Sequence, residues 1–529
     1  MQINKKNIFF LVLLILSSLC FSLSYNFETR ALLEATIQSR LINYPDEFNL
    51  FRVVSINAWS LPIQIISILI KNHINPLTIS TIILFTSTIM FSIGIYLITN
   101  FFTNSRLLSF FVSFVVILLN KNFGHLEYPT MMFTDHTNGL MAQALSTLVF
   151  ALLINNNLKL GLFFSVVLIP VHLTVGLWVN SIIFITFILR FKIYKKLILN
   201  KKIFFYIFLG LVITLISFFY FLGQKLPLDF PYDDQAFKTY MEVWELHRTA
   251  WGMYNNWFNY GYISKTLILI LVISIFLKFK LNKTNFDFGI YILLLNCTLS
   301  LLLYLAYKYF FFLFPDIVIK VMPTRFILLH SVVGWPIIFS IFYLLTKNMI
   351  LKFNINFKYT HYTFILILIF NMIQHNSRFV ERYEGIKFNL NINNEDNEFW
   401  DIIKNTDLQG FILTSSDIEA CIKTIVYAKK PLFICPDGID YVSYIPKTAG
   451  PTKKIIEEVF EIPFNNPKVK HLGGIHKDDL KFSYEKKSLN DWILLKNKFN
   501  IQGLIVPKKW RIDLKVISSN EKFNFYSIE

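Results

Sequence analysis

The sequence predicts a polytopic α-helical membrane protein of about eleven spans that ends in an extracytoplasmic α/β domain. Three observations carry that expectation. Of the 529 residues, 54% are hydrophobic and 16% charged. The mean hydropathy is +0.50, and the apolar residues come in long unbroken blocks where a soluble protein of this size would interleave charge. Lysine and arginine gather in short loops between those blocks. After Gln374 the charge rises and the apolar runs shorten to strand length, which divides the chain into a membrane part, 1–375, and an outer soluble part, 376–529.

The first block, residues 8–24, follows Lys5 and Lys6. It reads as an anchoring span rather than a cleaved signal, because its apolar region is long and no small-x-small cleavage site is clear. Ten more spans read as 77–98, 107–120, 139–154, 160–175, 177–190, 203–222, 266–277, 288–307, 326–345 and 362–372, several of them short of the ~20 residues a crossing helix needs. Each span flips the side. The basic clusters at 5–6, 190–202, 278–283 and 347–358 then all fall on the side of the N-terminus, which the positive-inside rule assigns to the cytoplasm. The net charge of +17 is thereby explained by topology, and neither it nor any motif calls for a nucleic-acid partner.

The outer side receives the long first loop, 24–76, then 121–138, 223–265, 308–325 and everything after Gln374. Within the first loop, 53–70 is apolar but carries Asn57, Pro62 and Gln64. It reads as a helix lying at the interface, since counting it as a crossing would place the 190–202 cluster outside. The stretch 160–190 is too long for one span and is interrupted by Pro170, so a helical hairpin turning near His172 is expected. In the outer domain, strands are expected at 410–414, 432–435, 503–506 and 523–528, and helices at 417–428, 452–460 and 489–499. Cys20 and Cys297 fall in spans. A bond between Cys421 and Cys435 is left open, because an oxidising compartment permits it while a helix residue and a strand-end residue must also meet the spacing limits of a disulfide.

No phosphate-binding glycine loop, nucleophile elbow, HExxH or paired CxxC occurs in the chain. The cofactor is therefore unknown, with a divalent cation left open. What carries chemistry is the set of ionisable residues in the outer loops. Asp46 and Glu47 stand side by side in Tyr44-Pro45-Asp46-Glu47-Phe48, and a shielded member of that pair would be a general base with a pKa raised by desolvation; solvated loop charges are the competing account. Asp135 and His136 precede a span, at a spacing that suits a metal or a proton relay, and equally an ordinary helix cap. His172 sits at the hairpin turn, where an ionisable residue is often functional. The 223–265 loop surrounds Glu242, Glu245, His247 and Arg248 with tryptophans and tyrosines, which suit either sugar stacking or the headgroup belt. Arg325 opens a span on the outer side, placed to grip a lipid phosphate bidentately or to snorkel.

This layout resembles the GT-C class of membrane glycosyltransferases and the GT-C-like bacterial membrane proteins of unassigned function. The likeness lies in the first helix followed by an outer loop with Asp46, the paired spans, the hairpin Ile169-Pro170-Val171-His172-Leu173-Thr174-Val175-Gly176-Leu177, and an outer domain ending in a helix, Gln502-Gly503-Leu504-Ile505-Val506 and Phe523-Asn524-Phe525-Tyr526-Ser527-Ile528. The resemblance implies a bacterial cytoplasmic membrane enzyme with a cytoplasmic N-terminus, embedded in membrane lipid. It would move a sugar from a polyprenyl-phosphate donor to an envelope glycan or glycolipid acceptor on the outer face. Asp46 maps onto the family's first-loop acid, with Glu28 and Glu47 as alternates. Arg325 maps onto the arginine that holds the carrier phosphate, and Asp135, His136, His172 and Arg248 are the further substrate-binding candidates. A transporter or flippase, for which mid-membrane polar residues and inverted repeats are expected, and a non-catalytic envelope protein on the same fold are the alternatives.

Overall fold

A computed structural model describes residues 5–23, 30–118, 138–198, 200–245, 260–280, 287–315, 323–352, 357–374, 394–465 and 473–528, with 318, 321 and 467. Helices dominate the first three quarters of the chain. In order these are α1 Lys5–Leu23, α2 Ala31–Gln38, α3 Leu50–Ile56, α4 Leu61–Lys71, α5 Pro76–Thr103, α6 Arg106–Leu118, α7 Asn138–Ile154, α8 Leu158–Val171, α9 Leu173–Leu189, α10 Phe191–Ile198, α11 Lys201–Gln224 and α12 Asp234–Thr239, the last running into a π-turn, Tyr240–Trp244. Then come α13 Tyr260–Lys280, α14 Phe288–Tyr309, a 3-10 turn Pro323–Ile327 leading into α15 Leu328–Lys352, and α16 Phe357–Gln374.

Every expected apolar segment is helical, but length and composition support fewer crossings than the eleven expected. Among the described residues five helices are long and apolar enough to span a membrane: Pro76–Thr103, Lys201–Gln224, Tyr260–Lys278, Phe288–Tyr309 and Pro323–Ile350. The other six helices offer apolar stretches of 10–17 residues, short of a bilayer's hydrocarbon thickness unless flanking residues extend them. The 53–70 segment also differs from the single interfacial helix expected. It is the pair α3 and α4, bent by 108°, because α3 stops at Asn57 and Pro62 starts α4 afresh in its first turn, where a proline's missing N–H costs nothing.

The helices meet through small and polar residues, as helices in lipid do. A Cβ on Gly94 of α5 would stand 2.9 Å from Thr147 Cγ2 of α7, and one on Gly289 of α14 would collide with the Ile154 main chain. The hairpin forms as expected, with His172 extended between α8 and α9 (φ −158°, ψ 104°). Pro170 lies inside α8 rather than ending it. Asn180 clamps the two helices, donating to the carbonyls of Ser165 (2.6 Å) and Gly176 (2.7 Å) while its Oδ1 accepts from Ser165 Oγ (3.0 Å).

The C-terminal part contains α17 Asn394–Asn405, β1 Phe411–Thr414, α18 Ile418–Val426, α19 Tyr441–Tyr444, α20 Ala449–Glu458, α21 Lys477–Lys486, α22 Leu489–Phe499, β2 Ile501–Pro507, β3 Val516–Ser519 and β4 Phe523–Ser527. The strands form one sheet in the order β1-β2-β4-β3, with β1 parallel to β2 and the other pairs antiparallel. The expected strand at 432–435 is reduced to a parallel bridge between Leu432 and Ile412, since Pro436 offers no N–H to continue a ladder. Cys421 and Cys435 are bonded, with their Cα atoms 5.9 Å apart, which ties α18 to the segment that leaves this bridge. The unexpected edge strand β3 is mostly exposed and lacks the buried alternation that reveals a strand in sequence.

Strand side chains alternate between two cores. Phe411, Leu413, Leu504 and Val506 face one with α20, α21 and α22, whereas Ile412, Ile505 and Phe525 face the other with α18. Both cores are completed by distant chain. Ala236, Phe237, Tyr240 and Trp244 enter the first, and Ala31, Leu32, Leu33 and Ala35 of α2 enter the second. The sheet is thus covered on both faces only with help from the loops that link the apolar helices.

Candidate site at the hairpin tip and around α2

Of the expected site residues, Glu28, Asp135, His136 and Arg248 lie outside the described residues. Asp46 and Glu47 lie on an exposed turn. Asp46 Oδ1 accepts from the Phe48 N–H at 2.8 Å, and the Glu47 carbonyl accepts from Arg52 at 2.9 Å. Neither side chain is enclosed, and the Asp46 carboxylate closes its own turn as aspartates do.

The turn that carries Arg325 packs against the hairpin that carries His172. Arg325 stands in the 3-10 turn that leads into α15, half-buried. Thr174 Oγ1 meets His172 Nδ1 at 3.1 Å and orients the ring. Beside them the rings of Trp178 and Phe326 stack at 4.4 Å with 5° between their planes, which fixes the hairpin against the turn that carries Arg325. A guanidinium held at a half-buried position beside an aromatic pair can hold a phosphate while its apolar neighbours take a lipid chain.

A polar network continues from this point into the helices. Trp178 Nε1 donates to Asn296 Oδ1 at 2.8 Å. The Asn296 amide then reaches His330 Nδ1 at 3.3 Å, and His330 Nε2 meets Thr266 Oγ1 at 2.9 Å. Because the amide nitrogen can only donate, the network assigns Nδ1 as acceptor and places the ring proton on Nε2, toward Thr266. Asn296, His330 and Thr266 are all buried. A histidine inside an apolar span was a signal available in the sequence, and the expected site did not include it.

Against the C-terminal sheet a second group assembles around α2. Glu34 is enclosed so that burial pushes its carboxyl pKa up; Arg30 pulls it back down and Asp440 raises it further. The Arg30 guanidinium lies against Gly438, with Nη2 2.7 Å from where a Cβ would stand. Nearby, Tyr240 OH bonds both the buried Glu245 (3.0 Å) and the Ile439 carbonyl (2.7 Å). The sequence showed Glu34 and Arg30 only as two of many loop charges. Among the described residues no three side chains of the His, Cys, Asp or Glu type gather as a metal site would require.

No protein-family model matches the chain, and no curated protein matches it significantly.

Proposed function

We propose that this chain is a membrane glycosyltransferase of the GT-C type, which takes a sugar from a polyprenyl-phosphate carrier and passes it to an envelope acceptor on the outer face of the cytoplasmic membrane. The observation that carries the reading is the packing of the turn that bears Arg325 against the hairpin that bears His172, through the stacked rings of Phe326 and Trp178. A carrier lipid presents a phosphate joined to an apolar chain. A half-buried arginine at the end of an apolar helix, beside aromatic rings, suits both parts. In this reading all eleven apolar helices cross, the basic clusters face the cytoplasm, and the outer layer lies in an oxidising space, in keeping with the Cys421–Cys435 bond.

The same reading needs a carboxylate to accept a proton from the acceptor hydroxyl. Asp46, Glu47 and Glu28 remain its candidates from the resemblance. Glu34 joins them because burial raises its carboxyl pKa, the direction that base chemistry asks of a carboxylate.

The test is a deletion strain complemented with wild type, Arg325→Ala or Asp46→Ala at matched expression, with lipid-linked sugars and envelope glycans quantified. Deletion should alter both pools. Arg325→Ala should restore less than a tenth of the wild-type transfer, the scale expected on losing a charge-assisted phosphate grip. Unchanged pools in the deletion strain would overturn the proposal, whereas Asp46→Ala behaving as wild type would remove only Asp46 from the mechanism.

A further inference from the structure

Between α9 and α11 the chain makes an eight-residue helix, α10. Residues 190–202 hold Arg190, Lys192, Lys195, Lys196, Lys201 and Lys202, and no acidic residue. Successive helix residues stand roughly 100° apart. Lys192 and Lys195 therefore share one side of α10, Tyr194 lies on the other, and Phe191 and Ile193 fall on the two flanks between them. Such a division of charged and apolar residues suits a helix that lies at a membrane surface.

Packing follows the same division. Tyr194 is buried, its ring 4.8 Å from that of Phe288. Arg190, which ends α9, sets its guanidinium 3.9 Å from the centre of the Tyr291 ring. Phe288 and Tyr291 belong to the first turn of α14, so α10 is fastened to the bundle along its Tyr194 side. Lys192 and Lys195 are exposed, and so are Phe191 (45%) and Ile193 (53%).

The neighbouring helices point to what covers the open sides. Ile188 and Leu189, the last residues of α9, are 55% and 68% exposed. Phe204 and Phe205 follow Lys201 and Lys202 in α11 and are 51% and 57% exposed. Helix α11 is long and apolar enough to cross a membrane, and most of it is left uncovered by the rest of the chain. Apolar surface facing outward immediately before and after a basic segment is what two helices entering hydrocarbon present, with the lysines at the headgroups. An acidic protein segment arriving from water would pair the lysines and leave Phe191 and Ile193 bare. A leaflet satisfies both, taking apolar groups among the upper acyl chains and ammonium groups among the phosphates.

We propose that α10 lies in the membrane surface and selects anionic phospholipid there. Phe191 and Ile193 enter the acyl boundary, while Lys192, Lys195, Lys201 and Lys202 hold the headgroups. A zwitterionic headgroup carries its own amine beside the phosphate, whereas an anionic one brings a net charge to the lysines, and that difference sets the preference. This role needs α9 and α11 to cross the membrane and is independent of any sugar transfer.

The experiment reconstitutes the full chain in phosphatidylcholine nanodiscs doped with photoreactive phosphatidylglycerol or, in the same amount, photoreactive phosphatidylcholine, and maps the crosslinks by peptide mass spectrometry. Residues 190–202 should take up phosphatidylglycerol over phosphatidylcholine by about fivefold or more, the scale of one lysine beside anionic lipid. Lys192→Gln with Lys195→Gln should remove most of that preference, as should molar salt, whereas Lys192→Arg with Lys195→Arg should retain it. Nitroxides placed by Ile193→Cys and by Lys192→Cys, with Cys20→Ser and the buried Cys297 left in place, should report opposite depths. Oxygen should collide more with the first and a water-soluble nickel chelate with the second. Equal uptake of the two lipids, a preference that survives both the Gln variant and salt, or equal nickel collision at the two sites would overturn the proposal. Uptake of neither lipid would overturn it as well, and protection of residues 190–202 from amide exchange by polyglutamate would in that case assign the face to an acidic protein segment.

Discussion

Glu34 shows how a single side chain's setting becomes a measurable pH dependence. Its folded pKa is raised by burial, against the pull of Arg30 and with the push of Asp440. Below the unfolded carboxyl value of about 4.3 both states carry the proton and the residue costs nothing. As pH rises through the folded pKa, the folded state holds a charge that its surroundings disfavour, so stability is lost. Glu34→Gln should therefore melt together with wild type at pH 4 and above it at pH 8, with the gap widening between them, by differential scanning fluorimetry of the detergent-solubilised chain. An equal gap at every pH would show that the carboxyl is not the source. In the sequence Glu34 was one acid among several, because enclosure depends on Gly438 and Asp440, some four hundred residues away.

Helices were legible because their signal is local. The apolar runs of α5, α11 and α14 announce themselves, and Pro170 with His172 located the α8–α9 turn. Strands were less so: β1, β2 and β4 are apolar and buried and were found, whereas β3 is exposed and was not. How the helices approach one another was hidden altogether. Gly289 opens α14 against the Ile154 main chain of α7, which cannot rotate aside, while a Cβ on Gly334 of α15 would meet only Leu269 Cδ2 at 3.7 Å. Gly289→Val should accordingly lower stability in detergent by about 1–3 kcal/mol, the usual cost of overpacking. Gly334→Ala should be neutral or slightly stabilising, as Gly to Ala in a helix interior is. Thermal inactivation half-lives of the two variants, compared with wild type, decide between this packing and one in which the glycines are equivalent.

At the scale of the whole molecule, the proposed topology places the 190–202 cluster inside and everything after Gln374 outside. A reporter active only outside the cytoplasm should be silent when fused after Ile198 and active after Gln374; the opposite pattern would invert the orientation, and activity at both would break the span count. The sequence by itself determined that this is a membrane protein of apolar helices with an α/β tail, since composition, block length and charge placement are properties of the chain that survive in any arrangement. It also named Arg325 and His172 separately. Tertiary structure alone decided that the turn bearing Arg325 packs against the hairpin bearing His172, that Asp46 and Glu47 lie exposed on a turn, and that the segment between α1 and α5 supplies α2 to the sheet of the C-terminal part. The reason is physical: a helix is specified by residues within a few turns of each other, whereas the Arg30–Gly438 approach arises from burial between segments that share no local pattern.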